Sequence, residues 1–184
     1  MQVLKEKTRR DIVEAAEKEF RKLSFEKASM RTIATNANMT VGNLYRYYKN
    51  KQELYGSIIN VLIVELKKLI AGIPGVPKSR LPYFLSNFKE LQQKYPSEWL
   101  ILFGGNTGTK YKEIADEIHQ KFKDCVVEVM QRSGRHIELA DPIASSIIFG
   151  LNSILQSQET SKKTSELADE FLDYMIAGFS HCVA

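Results

Sequence analysis

The chain has little of what metal sites, disulfide frameworks and enzyme active sites are built from. Its two cysteines, Cys125 and Cys182, stand far apart with no metal-ligand spacing, and its three histidines, His119, His136 and His181, form no local pair. That excludes a disulfide-stapled framework and a zinc motif, and both thiols read as reduced. There is no nucleophile elbow, phosphate loop or acid–base pair on one helix face, so no catalytic residue, metal or cofactor is expected. The one glycine-rich run, Gly104-Gly105-Asn106-Thr107-Gly108, follows a helical pattern instead of a strand and reads as a connector. Long apolar runs are also scarce. The best, Pro142 to Gln158, is broken by Ser145, Ser146, Asn152 and Ser153, whereas a spanning helix needs roughly 20 mainly apolar residues. Met1 to Arg10 is charged and lacks the apolar core of a signal peptide, so no membrane association and a cytoplasmic location are expected. Finally, no apolar/polar alternation of strand type occurs, and the fold class is read as all-α.

What is present is unevenly distributed. Residues 1–55 hold 12 Lys+Arg against 7 Asp+Glu, a net of +5, while the remainder holds 14 against 15, a net of −1. A basic head on a neutral body suits a nucleic-acid partner, although a solvated helix face reads the same way.

Helical spacing and caps divide the chain further. Ile12, Ala16, Phe20 and Leu23 share a face of a first helix over 4–22. Ser29 caps a short helix carrying Met30, Ile33, Ala34 and Ala37, and Asn38 follows where a left-handed turn residue is needed. Thr40 caps a third helix ending near Tyr48. Asn50 and Glu53 have capping-box spacing and open a long fourth helix that points Leu54, Ile58, Val61, Leu62, Leu66 and Leu69 inward. That helix meets a strong break at Gly72 to Pro77, and further helices are expected over 79–94, 97–103, 109–131, 141–156 and from 164 to about 182.

Two helices of about two turns, separated by Asn38-Met39-Thr40, have the shape of a helix-turn-helix. The second buries Leu44 and Tyr48 and offers Gly42, Asn43, Arg46 and Tyr47, with Tyr45 at the margin. Glycine, asparagine and tyrosine are poor choices for a merely solvated helix face. Small, hydrogen-bonding and aromatic hydroxyl groups suit close approach to bases and phosphates.

The stretch Arg9…Ile12…Ala15-Ala16…Phe20, then Ile33-Ala34…Ala37 to Lys51…Leu54, with its Leu44-Tyr45-x-Tyr47-Tyr48-x-x-Lys51-x-x-Leu54 core, closely resembles the TetR family of bacterial repressors. The resemblance covers about 50 residues. Ser24 and Asn38 depart from it where the family favours glycine, and Asn43 where threonine is common. It implies an N-terminal three-helix helix-turn-helix DNA-binding domain over 1–50. A long helix would join it to a C-terminal helical effector-binding and dimerisation domain over 51–184. It implies that Thr40, Val41, Gly42 and Asn43 enter the major groove, with Asn43 reading an adenine and Val41 touching a thymine methyl. Arg31 is a guanine reader or a solvated charge. Tyr45, Tyr47 and Lys51 are expected to clamp phosphates, assisted by the Ser29 and Thr40 hydroxyls, with core packing the alternative for Tyr45. Lys5, Lys7 and Arg10 would add diffuse attraction.

In the body, Phe84, Phe88, Trp99, Phe103 and Phe122 are either core or the lining of a pocket for an unknown small, apolar or aromatic effector. His119 is either a polar handle there or a satisfied interior histidine. The last two helices are apolar over too wide an arc for one-sided burial, through Ile143, Ile147, Leu151, Leu167, Phe171 and Met175 among others. That implies a homodimer through those helices, bound to the two half-sites of a double-stranded, pseudo-palindromic operator. A dimeric ligand-binding or protein-interaction module without an operator is the competing reading.

Overall fold

The structure, a computed structural model, describes residues 2–72, 80–132, 134–157 and 161–180. The breaker run's residues 73–77, Ser133, His181 and Cys182 lie outside them, as do the side chains of Ile176 and Phe179. The described residues form helices α1 (Gln2–Lys27), α2 (Met30–Asn36), α3 (Val41–Tyr47), α4 (Lys51–Gly72), α5 (Arg80–Lys94), α6 (Pro96–Gly104), α7 (Lys112–Arg132), α8 (Ala140–Ser157) and α9 (Ser161–Ser180). A short 3-10 turn, Ile137–Leu139, precedes α8. No strand occurs among them, in keeping with the all-α reading.

The chain separates into two compact units, one of residues 1–62 with 97–112 and the other of 63–96 with 113–184. This differs from the boundary expected at residue 50. The first unit needs the start of α4 and all but the first residue of α6 to complete its core. Tyr55, fully buried, donates its hydroxyl to the Ile101 carbonyl at 2.9 Å and packs edge-on against Phe20 and Phe25. Burial pushes the Tyr55 phenol well above its usual pKa, so it stays a neutral donor. Trp99, Leu100, Ile101 and Leu102 of α6 are buried in the same unit.

Most of the expected inward stripe is inward: Ile12, Ala16, Ile33, Ala34, Leu44 and Leu54 are all within 1% of complete burial. Two members are not. Leu23 is 36% exposed and Val61 43% exposed. Leu23 falls just before a kink in α1, and in α4 Tyr55, Ile59 and Ile63 rotate the buried stripe away from Val61.

The kink is at Ser24, with φ 64° and ψ 171°, and among the described residues the other non-glycine of positive φ is Asn38 at φ 54°. These are the two positions where glycine was expected. Asparagine tolerates the left-handed region, whereas the Ser24 conformation is one that side chains rarely adopt and costs about 1–3 kcal/mol. We therefore expect Ser24→Gly to stabilise the protein by up to about 1 kcal/mol net of glycine's greater unfolded-state entropy, and Asn38→Gly by less. Urea denaturation of both variants checks the order; a loss of stability in Ser24→Gly contradicts it.

In the second unit α8 packs on α9, and α5 on α9. Lys89 pairs with Asp169 at 3.0 Å, and Gln93 donates to Asp169 at 2.6 Å. By length and composition alone Ile137–Gln156 is able to cross a membrane, contrary to the expectation from its interrupting serines. Its outward positions nevertheless include Asp141, Ser145, Ser146, Ser153 and Gln156, which suit water or a partner better than lipid.

Candidate nucleic-acid interface

Local chemistry sets each helix of the motif in place. Ser29 caps α2, its hydroxyl accepting from Arg31 N at 3.2 Å, and Glu19 accepts from Ser29 N at 3.2 Å. Thr40 caps α3 by accepting from Asn43 N at 3.2 Å. Each hydroxyl keeps its own proton for a second partner. The turn closes through Met39 N donating to the Ala34 carbonyl at 2.9 Å. At α4, Asn50 Oδ1 accepts from Glu53 N at 2.8 Å and Glu53 Oε2 accepts from Lys49 N at 2.8 Å. This is the expected box, displaced by one residue on the return bond.

Leu44 and Tyr48 anchor α3 in the core, and the opposite face is open. Thr40, Gly42, Tyr45 and Arg46 are exposed; Val41, Asn43 and Tyr47 are half-buried. Tyr45, at 48% exposure, is thus an outward residue and not a core one. A Cβ added at Gly42 meets nothing within 4 Å, so packing does not require glycine there. Arg31 is exposed on α2, and Asn43 lines a polar cleft of about 750 Å³ with Lys7, Asp11, Lys18, Asn36 and Asn38. Eight of the nine expected contact residues therefore lie on α2, α3 or their capping residues.

The ninth, Lys51, does something else. Its ammonium donates to the carbonyls of Phe25, Glu26 and Ala28 at 2.6, 3.1 and 3.0 Å, and stands 4.5 Å from the centre of the Phe25 ring. Burial lowers its pKa, partly offset by Glu26. All three of its donors are taken up by carbonyls at the end of α1 and at Ala28, so none is left over here for the expected phosphate clamp. No local pattern announces this, because the acceptors lie 23 to 26 residues upstream.

A second contribution that sequence reasoning missed comes from the supposed connector. Gly105 accepts from Phe25 N at 3.1 Å, and a Cβ on Gly105 would overlap Ser24. Gly56 leaves room in the same way for the hydroxyl end of Tyr111. Residues 104–111 therefore brace the end of α1 and the start of α4.

The residues expected around an effector are divided between the units. Trp99 is fully buried in the first, 4.5 Å from the Phe103 ring centre, which makes it core there. Phe84, Phe88 and Phe122 form a fully buried cluster in the second, Phe84 and Phe122 stacked at 5.1 Å. His119 is not an interior handle: it is half-exposed and faces Asp141, which Lys123 also contacts.

The family of bacterial regulatory proteins described as tetR matches residues 12–58, the whole helix-turn-helix and the first turns of α4. The N-terminal part of the chain, residues 12–58, is thus of the TetR type. An uncharacterized HTH-type transcriptional regulator, YhgD of Bacillus subtilis (strain 168), is 37% identical over 57 residues, which span 31% of this chain and only 30% of that relative. A TetR family transcriptional regulator from Chloroflexus aurantiacus J-10-FL superposes with a TM-score of 0.64 at 14% identity, covering 94% of this chain and 93% of that one. The Bacillus subtilis regulator FadR, in complex with stearoyl-CoA, superposes with a TM-score of 0.55 at 16% identity, covering 91% and 97%. At such identities these two likenesses carry the fold.

Replacing Lys51 by methionine strips three carbonyls of their donor and should cost about 1–3 kcal/mol of stability. DNA affinity should fall through loss of the folded head, while the salt dependence per bound protomer stays unchanged. A slope reduced by about 0.9 in the log–log plot, with stability intact, would instead restore Lys51 to the phosphates.

Proposed function

We propose that this chain is a transcription regulator, in its usual family mode a repressor, that binds a pseudo-palindromic operator as a homodimer in the cytoplasm and is released by a small apolar or aromatic effector. The observation that carries the reading is the outward face of α3. It combines Gly42, Asn43, Tyr45 and Arg46 on a helix anchored from behind by Leu44 and Tyr48. Glycine in a helix costs about 1 kcal/mol relative to alanine, and here it fills no tight space. A ligand surface that must approach closely accounts for it.

On this reading Thr40, Val41, Gly42 and Asn43 meet the major groove, Asn43 bidentate to an adenine and Val41 on a thymine methyl. Arg31 reaches a guanine from α2. Tyr45, Tyr47, Ser29 and Thr40 hold phosphates. The effector reading rests on the aromatic interior of the second unit, and the FadR neighbour, which holds stearoyl-CoA, shows an acyl ligand on a related fold.

Two apolar rings on the last helices support the dimer: Phe149 is 74% exposed and Tyr174 70% exposed. Around them Ser145, Ser146, Ser153, Ala177 and Gly178 are also exposed, small enough for backbones to approach. Ile147, by contrast, is fully buried within the protomer, so it belongs to the core and not to the interface face.

Two experiments test this. Gly42→Ala and Asn43→Ala should leave the fold as stable as before or more so, because neither packs inside. Asn43→Ala should cost about 1–3 kcal/mol per half-site and relax preference at one base position in selection from random DNA. An unchanged base profile removes Asn43 from the readers. Phe149→Lys combined with Tyr174→Lys should convert the dimer to monomer in sedimentation, with specific binding falling far more than non-specific binding. A double variant that remains dimeric at micromolar concentration moves the interface elsewhere.

A further inference from the structure

The second unit carries one polar group that its own packing does not explain. Gln92 on α5 is 1% exposed, and among the described residues nothing donates to its side-chain oxygen. A buried amide oxygen left without a donor is costly, and most such atoms in native proteins are satisfied. Gln92 lies one helical turn beyond Phe88, on the face of α5 that buries Leu81, Phe84, Leu85 and Phe88. The rings of Phe84 and Phe88 pack with Phe122 of α7. Its neighbour Gln93 shows what α5 does with a glutamine it needs for structure, since that amide is bonded to Ser165 and Asp169 of α9.

We infer that Gln92 is the polar anchor of the effector site, reading one hydrogen-bond donor on an otherwise apolar, aromatic-bodied molecule. This rests on the proposed ligand-responsive function and goes beyond it by fixing the chemical class of the ligand. The class is neutral. The buried polar residues described in this unit are Gln92, Asn152 and Thr164, none of them charged. A carboxylate set against the Gln92 oxygen would lose its hydration and meet a second acceptor where a donor is needed. A phenol, by contrast, offers a flat apolar body to the phenylalanine cluster and an O–H to the amide oxygen. A site built around such a bond rejects the analogue that lacks it, because the amide is then left unpaired.

The test uses the full chain and three probes of one shape, 4-propylphenol, propylbenzene and 4-propylbenzoate, read by thermal denaturation and by calorimetric titration without DNA. Propylphenol should raise Tm by several degrees, propylbenzene by less, and propylbenzoate least. Gln92→Leu, which removes the unsatisfied amide, should raise the Tm of the free protein and abolish the advantage of propylphenol over propylbenzene. Gln92→Asn, keeping the amide on a shorter stem, should retain part of it. A phenol advantage that survives in Gln92→Leu, a preference for the benzoate, or no shift with any probe overturns the assignment. So does a Gln92→Leu protein less stable than the original, which would mean the amide is satisfied in the free chain. Operator binding is measured separately on the same variants. Loss of the phenol response with DNA binding intact, or the reverse, separates failure of the anchor from failure of the regulator reading.

Discussion

The helix-turn-helix depends on one cation in the right place. The first helix runs into a kink at Ser24 and ends in carbonyls that have no helical partner. Lys51, the first residue of α4, reaches back across α2 and α3 and donates to three of them. A protonated amine has three donors and no acceptor, so it suits a cluster of carbonyls, and the Phe25 ring beneath it adds the attraction of its π face. The start of α4 is thereby tied to the end of α1, and the segment between them, which contains the whole recognition motif, becomes a closed loop with fixed ends. The loop's ends are held a second time by Gly105 and Tyr111, whose approach two glycines permit.

Legibility from sequence follows range. Signals within four residues came through: the Ser29 and Thr40 caps, the Asn50–Glu53 box, the Leu44 and Tyr48 anchor, and the left-handed turn at Asn38. The face α3 offers was also readable, because exposure there follows from which residues are buried. Contacts that join distant parts were not. Lys51 looked like a surface cation because its acceptors are on another helix, and Gly104 to Gly108 looked like a connector because its role is to admit Ser24. The compact units likewise ignore the boundary of the motif, since Tyr55 and the apolar run of α6 finish a core that residues 1–50 cannot close alone.

The recognition face shows how such a scaffold bears residues chosen for something other than stability. Gly42, Asn43 and two tyrosines weaken a helix of seven residues that would scarcely form by itself. Leu44, fully buried, and the Thr40 cap hold it regardless. Because the supports lie on one side of α3 and the proposed reading residues on the other, a substitution on the outward face, such as Asn43 where the family commonly has threonine, need not disturb the fold.

The last helices obey a different constraint. A helix as apolar as α8 has three possible surroundings, a core, a lipid bilayer or a partner, and the distribution of its residues chooses among them. Ala144, Ile147, Leu151 and Leu155 are buried inside the protomer, which accounts for most of its apolar content. Exposed on its outside are Asp141, Pro142, Ser145, Ser146, Phe149, Ser153 and Gln156. Lipid would leave those hydroxyls and the amide unsatisfied or folded back on the helix, and would gain only one ring. Water would accept the serines but leave Phe149 and Tyr174 of α9 bare. A second copy of the same surface satisfies both demands, since small residues let the backbones approach while the rings leave water. The chemistry that argues against a membrane is thus the chemistry that supports the proposed two-fold partner, and a motif that reads only a few base pairs would need such a partner to find its site.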